Sequence, residues 1–270
     1  MLVVDVQNDF CPGGALAVPQ GDKVVPVLNK YINIFAKKKL PIFASRDWHP
    51  IHTRHFKDFG GVWPAHCIQN TKGASFHPKL RLSKEAIILY KGMGPKEDSY
   101  SVFQSEDASG VSFLNLLKLL RITDLYIGGL ATDYCVKSSV LDALRQGFKV
   151  KLLMDAIKGV NLKLNDSEKA IKEMVKKGAK KIIEQIVYSM SFAMKYLNFY
   201  EAKILCHEYY CPSNNINIIK IKEINSYTQY SRFCLTNLCQ YIESDFVLII
   251  QKDGFITNPH LWNDEFLRYD

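Results

Sequence analysis

The sequence predicts an α/β fold: a three-layer sandwich around a mostly parallel central sheet, joined to a partial second α/β module. Two observations predict the sheet. Short apolar runs alternate with longer stretches at helical spacing along the first two thirds of the chain, which marks parallel strands linked by crossover helices. Reactive side chains also stand just past several of those runs, where an open α/β sheet binds its ligands. The second module is suggested by a change of residue usage beyond about residue 186, where Tyr, Asn, Ile and Cys become common.

In chain order, strands are expected near 2–5, 41–45, 86–90, 124–130, 148–154 and 181–184. Val24, Val25, Leu28, Ile32 and Phe35 recur at helical spacing, as do Phe113, Leu114, Leu116, Leu117 and Leu120, so each set lines one face of a helix against the sheet. Two connections are long enough to carry function, from His49 to about Leu82 and from Gly92 to about Gly110. Structureless loops beyond about 12–15 residues are commonly lids or binding loops. The first of them holds five of the seven histidines.

The chemistry gathers at the strand ends. Cys135 closes the segment G-G-L-A-T-D-Y-C-V-K, where the apolar run Leu125–Leu130 gives way to a helix-like stretch. A thiol there meets backbone N–H groups and a helix N-terminus, which favour the thiolate and can hold an oxyanion. Taken singly, a cysteine is more often a small buried hydrophobe. Asp5 after Leu2-Val3-Val4, Asp47 and His49 after Pro41-Ile42-Phe43-Ala44, and Lys91 after Ile87-Ile88-Leu89-Tyr90 converge on the same crevice. Hydrolysis of a carboxamide needs a nucleophile, a base, oxyanion donors and an acid for the leaving nitrogen, and Cys135, Asp5 and Lys91 supply most of these. Asp47, His49 and His55 form a D-x-H-x5-H pattern, one carboxylate and two imidazoles suited to zinc or iron with coordination positions left open.

Five blocks in order, V-D-V-Q-N-D-F-C-P-G-G-A-L, D-W-H-P-x4-H-F, W-P-A-H-C-I-Q-N-T-K-G-A-S-F-H-P, Y-K-G and G-L-A-T-D-Y-C-V, resemble the nicotinamidases within the isochorismatase-like cysteine hydrolases. The resemblance runs from residue 1 to about residue 186. It implies that Asp5, Lys91 and Cys135 are catalytic and that the N–H groups of Ala131 and Cys135 form the oxyanion hole, with a cis bond at Leu130–Ala131. It further implies a metal held by Asp47, His49 and His55, joined by His66, with Zn2+ expected and Fe2+ or Mn2+ as alternatives. Phe10 and Trp63 align with aromatics that flank the substrate ring, and Leu130 and Ala131 line its pocket. His52 and His77 match no ligand position, and Tyr134 stands at a variable one. The implied reaction is hydrolysis of nicotinamide to nicotinate and ammonia through a thioester, in NAD salvage (pyridine nucleotide biosynthesis). Competing readings are another isochorismatase-like amide hydrolase and a two-module protein whose hydrolase half is inert.

Composition bounds the partners. The 270 residues carry a net charge of +8, about +10 over residues 1–190 and about −2 beyond, an asymmetry that supports two modules. The basic clusters, Lys37–Lys39 and Lys176, Lys177, Lys180 and Lys181, fall at expected helix ends, where cations complement the macrodipole; no nucleic-acid signature accompanies them. Seven cysteines in no disulfide framework argue for a reducing compartment. Without a leading signal segment or an 18-residue apolar run, neither secretion nor a membrane is expected, so the cytoplasm is the default. Self-association is left open, a homo-oligomer included.

The boundaries expected are 1–186 for the hydrolase domain and 187–270 for the remainder. That remainder, with the strand-like run 246–250, then Q-K-D-G-F-I and P-H-L-W-N-D-E-F-L-R-Y-D, resembles the middle of an uncharacterised glycosyltransferase-like domain. Asp253 would be its carboxylate for a metal-bound nucleotide sugar, or simply a turn former before Gly254. With Met1 only four residues before Asp5, the first module is expected to begin inside its first strand, and the second pattern would continue past Asp270, as a fusion or an imperfect gene boundary would leave them. Cys206, Cys211, Cys234 and Cys239 have no zinc-ribbon spacing and read as ordinary thiols.

Overall fold

The computed structural model describes residues 1–96, 98–182, 201, 203–206, 217–222, 224, 226–244 and 249. The chain divides into two units, Met1–Lys181 and Ile182–Asp270. The first contains β1 (Leu2–Val4), α1 (Val24–Lys37), β2 (Phe43–Asp47), β3 (Ile87–Lys91), β4 (Glu106–Asp107), α2 (Phe113–Leu119), β5 (Asp124–Leu130), α3 (Lys137–Arg145), β6 (Lys149–Lys158), α4 (Asp166–Lys176) and all but the last residue of β7 (Lys180–Ile182).

The seven strands form one sheet in the order β4-β3-β2-β1-β5-β6-β7. Pairs β3–β2, β2–β1, β1–β5 and β5–β6 are parallel, and only the short edge strand β4 is seen to run antiparallel, against β3. The chain builds outward from β1 to β3 and then, with β5, restarts on the other side of β1. Strand order therefore reverses between β1 and β5, the switch point at which a crevice opens beyond the strand ends.

Side-chain alternation explains the layers. Leu2 and Val4 of β1 and Leu125 and Ile127 of β5 pack with Phe113 and Leu117 of α2, Val140 and Ala143 of α3 and Met174 of α4. Residues of the opposite parity face α1: Tyr126 meets Phe35 edge-on at 5.1 Å, and the space a side chain would take at Gly128 is filled by Leu28. Period 2 in the strands and period 3.6 in the helices thus yield helix, sheet, helix. Tyr31 of α1 adds a 2.8 Å hydrogen bond to Asp155 of β6.

Several boundaries differ from expectation. β2 starts at Phe43 and runs through Asp47, so Asp47 belongs to the strand itself; Lys91 likewise ends β3. β6 extends to Lys158. The connection after Gly92 contains a 3-10 turn, Val102–Gln104, closed by reciprocal Ser101 and Gln104 bonds, and then β4; two-residue strands carry no period to read in a sequence. Lys37–Lys39 do end α1 and Lys176 ends α4, but Lys180 and Lys181 lie in β7.

The second unit shows β8 (Lys203–Cys206) parallel to β9 (Asn217–Lys220), and α5 (Tyr227–Thr236), whose N-cap Ser226 accepts from Gln229 N–H at 3.1 Å. Asp253 and, apart from Ile249, the expected strand 246–250 lie outside the described residues. Cys234 and Cys239 are free thiols, while Cys211 is likewise outside. No described helix is long and apolar enough to cross a membrane.

Phe43 sits at the centre of the first unit, fully buried and edge-on to Phe113 at 5.2 Å. Phe43→Ala is expected to destabilise this unit by about 3–5 kcal/mol, read as a lowered urea midpoint with an unchanged m-value.

Candidate active site

Register delivers the first three groups. Asp47 of β2 pairs directly with Lys91 of β3 in the parallel ladder. Asp5 follows β1, its N–H bonded to Ser45 O at 3.2 Å. Its φ of +47° places it in the left-handed region that Asp tolerates better than most residues, turning its side chain off the strand line. Cys135 comes from the far side of β1, on the turn that follows β5. That turn is a π-helical loop over Thr132–Val136, closed by N–H bonds from Tyr134 and Val136 to Ala131 O, both 3.1 Å. The Leu130–Ala131 peptide is cis.

Lys91 Nζ is the hub. It bonds Asp47 Oδ1, stands 2.9 Å from Asp5 Oδ2, donates to Ser99 O at 2.9 Å and lies 3.5 Å from Cys135 Sγ. Burial alone would lower the Lys91 pKa, but the Asp47 and Asp5 carboxylates overcome it and hold the ammonium well above its ordinary value. Burial also works to raise Asp47, yet Lys91 and then His49 hold it below the carboxylate range. Asp5 goes the other way: burial raises its pKa, the Asp47 carboxylate adds to that, and Lys91 and the 2.7 Å bond from Ser45 Oγ oppose it. Of two carboxylates sharing one ammonium, Asp47 is the fixed anion and Asp5 the one able to take and return a proton.

For Cys135 the structure corrects the sequence. A thiolate-favouring position was expected, whereas burial pushes this thiol well above its ordinary pKa; Lys91 opposes the rise, and Asp5 and Asp47 add to it. Enclosure in the core outweighs the helix-end effect and favours the neutral thiol.

The histidines form a second cluster. One nitrogen from each of His49, His55 and His66 lies within 4.8 Å of the others, and all three residues are buried. Each ring is tied through Nδ1: His49 to Gly92 O at 3.0 Å, His66 to Pro64 O at 2.7 Å, and His55 to Asp98. A carbonyl only accepts, so Nδ1 of His49 and His66 carries a proton, which leaves Nε2 as the ring nitrogen able to bind a metal. His49 Nε2 is buried without a hydrogen-bond partner, 3.7 Å from Asp47 Oδ2. Burial lowers the pKa of His66 to about 4 and lowers that of His55 against the pull of Asp98. Imidazoles anchored at one nitrogen, a buried Nε2 without a hydrogen-bond partner and a carboxylate oxygen beside it fit a divalent cation. His49, His55 and His66 with Asp47 Oδ2 are the residues that would hold it. His52 is exposed against Phe59, and His77 serves a turn, its Nδ1 accepting from Lys79 N–H at 3.2 Å.

The expected aromatics border both clusters. Phe10 is buried with its ring 5.5 Å from His66, and Trp63 meets Tyr134 edge-on at 5.0 Å. Leu130 is fully buried and Ala131 nearly so.

Sequence reasoning missed four supports. Tyr100, in the second long loop, accepts from Trp63 Nε1 at 2.8 Å and stands 5.8 Å from the His55 ring. Asp98 anchors His55 from the same loop. Gln7 is fully buried and clamps Asp47, accepting from its N–H and donating to its carbonyl, both at 2.8 Å, with a third bond to Ala74 O. Asp133 accepts from Val160 and Asn161 N–H at 2.9 and 2.7 Å, fixing the Thr132–Val136 turn to the segment after β6. Gln7 and Asp133 lay inside quoted motifs, but backbone partners distant in sequence leave no local signal.

A buried thiol beside a carboxylate and an ammonium, at the switch point of an α/β sheet, is the equipment of a nucleophilic hydrolase. The chain belongs to the isochorismatase domain family, which matches residues 1–183. Among its relatives, the nicotinamidase of Escherichia coli K12 is 42% identical over 195 residues, spanning 66% of this chain and 92% of that protein. The nicotinamidase/pyrazinamidase of Mycobacterium tuberculosis is 36% identical over 164 residues, 60% of this chain and 87% of that one. The solved structure of a Pyrococcus horikoshii pyrazinamidase in complex with zinc superposes with a TM-score of 0.62 at 44% identity, covering 67% of this chain and 97% of that one.

Gly92 has φ +65°, and a Cβ there would lie 2.6 Å from His49 Nδ1 and closer still to Cε1. Gly92→Ala is expected to tilt His49 and weaken divalent-metal affinity about 10–100-fold, measured by competition against a chromogenic chelator.

Proposed function

We propose that this chain hydrolyses nicotinamide to nicotinate and ammonia through a thioester on Cys135, within NAD salvage. The observation that carries the reading is the Lys91 ammonium, which gathers Asp5, Asp47 and Cys135, with Asp47 Oδ2 3.7 Å from His49 of the three buried histidines. The relatives add weight to the substrate assignment.

The residues divide the work. Phe10 and Trp63, with Tyr100 and Tyr134 near, form aromatic walls suited to a flat heteroaromatic ring. Zinc is the proposed ion at the three histidines and Asp47; when bound it supplies a Lewis-acidic anchor for the pyridine nitrogen, orienting the ring. Asp5 takes the proton from the Cys135 thiol as sulfur attacks the carboxamide carbon. Because burial favours the protonated form of both groups, transfer accompanies attack rather than preceding it. The N–H groups of Ala131 and Cys135 receive the developing oxyanion. Asp5 returns its proton to the leaving nitrogen and ammonia departs, leaving the thioester. Asp5 then accepts a proton from water as it attacks and passes it to the departing sulfur, restoring the thiol, while the new carboxylic acid loses its proton to solvent and leaves as nicotinate. Lys91 holds Asp5 in line throughout and balances its charge.

We assign catalysis to the first module alone, ending near residue 186, with 187–270 as an appended glycosyltransferase-like part. A family match ending at 183 and a division between units at 181/182 support the boundary. The five free thiols among the described residues fit the reducing cytoplasm.

Cys135→Ala is expected to abolish ammonia release while nicotinamide still binds by calorimetry; turnover surviving in this variant would overturn the covalent route. Chelation is expected to suppress ammonia release in wild type and added Zn2+ to restore it, whereas full activity in metal-free protein would remove the metal from the reading. A chain truncated after residue 186 is expected to keep kcat/KM within about twofold; loss of folding on truncation would make the tail part of the core.

A further inference from the structure

Two groups of metal-ligating side chains occur among the described residues, and the site above uses only one for a metal. The other is Asp5, Asp47 and Cys135, whose two oxygens and one sulfur lie within 4.8 Å of one another, all buried. Two carboxylates and a thiolate are a set that zinc and cobalt accept. Asp5 Oδ2 makes no directed hydrogen bond, although the Lys91 ammonium stands 2.9 Å away.

The middle of this group already holds a cation. Lys91 Nζ is ringed by Asp47 Oδ1, Asp5 Oδ2, Ser99 O and Cys135 Sγ, the last three at 2.9, 2.9 and 3.5 Å. Asp47 links the two clusters, with Oδ1 on Lys91 and Oδ2 3.7 Å from His49 Nε2. An ion held by His49 and Asp47 Oδ2 would therefore share a carboxylate with the group that contains Cys135, a thiol that binds such ions strongly once deprotonated.

We propose that Lys91 is a tethered cation that fills a latent second metal site, formed by Asp5, Asp47, Cys135 and the Ser99 carbonyl, and so keeps divalent metal off the nucleophile. An ammonium neutralises the two carboxylates without forming a bond to sulfur, which leaves the thiol lone pairs available for attack. Removing it leaves buried carboxylate charge uncompensated, a costly state, and a divalent cation is the replacement the remaining ligands fit. On binding, the metal–sulfur bond forms as the thiol proton leaves to buffer. The inference rests on the metal reading of the histidine cluster for its first equivalent only.

The test is a Co2+ titration of wild type, Lys91→Ala and Lys91→Gln, each with and without Cys135→Ser. Stoichiometry is read by equilibrium dialysis, thiolate-to-cobalt charge transfer by near-ultraviolet absorption, and folding by circular dichroism. Wild type is expected to bind one equivalent with no Cys135-dependent band. The folded Lys91 variants are expected to bind two, with a band that Cys135→Ser abolishes; other thiols cancel in that difference. Folded variants that stop at one equivalent without the band would overturn the proposal. So would a Cys135-dependent band in wild type at excess cobalt, whatever the variants do. Failure of wild type to take its first equivalent strikes the histidine-site reading instead, while the Cys135-dependent band in the Lys91 variants still decides this one.

Discussion

Burying an ammonium is unfavourable unless opposite charge and hydrogen-bond acceptors surround it. Lys91 meets that condition with side chains from two other strands: Asp5 after β1 and Asp47 at the end of β2, with Ser99 O completing the shell. None of these groups could be buried alone. The parallel register that sets Asp47 beside Lys91, and the switch point that lets β5 approach β1 from the opposite side, are what bring Cys135 to the same cation. The ammonium also separates the carboxylates in function, because its contact with Asp47 fixes that residue as an anion and leaves the higher pKa to Asp5.

Asp47 is the joint between the two halves of the site. One oxygen serves the Lys91 network and the other faces His49, while the Gln7 amide grips the Asp47 backbone from both sides. The histidine half is held by the loop backbone: His49 N–H bonds Cys67 O and Gln69 N–H bonds His49 O, which draws the segment carrying His66 alongside His49. Nδ1 anchors then leave the Nε2 atoms for a ligand. A long loop with little regular structure is in this way as well positioned as the strand ends, and contacts among Trp63, Tyr100 and Tyr134 join it to the turn that carries Cys135.

Much of this was legible in the residues. Alternation in β1 and β5 and the stripes of α1 and α2 were strong periodic signals, since each buries one face against the sheet. The reactive residues stood beside apolar runs, and the motifs of the hydrolase module carried Asp5, Lys91, Cys135 and the histidines together. What stayed hidden had no local pattern: β4 is too short to show a period, the second module lies largely outside the described residues, and Tyr100 and Asp98 act only through partners far away in sequence.

The sequence by itself determined the layer order, because hydrophobic period dictates which elements are strands and which helices, and it determined the chemical inventory of the site. Only the tertiary structure decided protonation and coordination. Whether a thiol is a thiolate, which of two carboxylates keeps its charge and which imidazole nitrogen is free depend on burial and on the atoms within about 4 Å. Those neighbours come from β1, β2, β3, the turn after β5 and two loops, and no spacing along the chain encodes their distances.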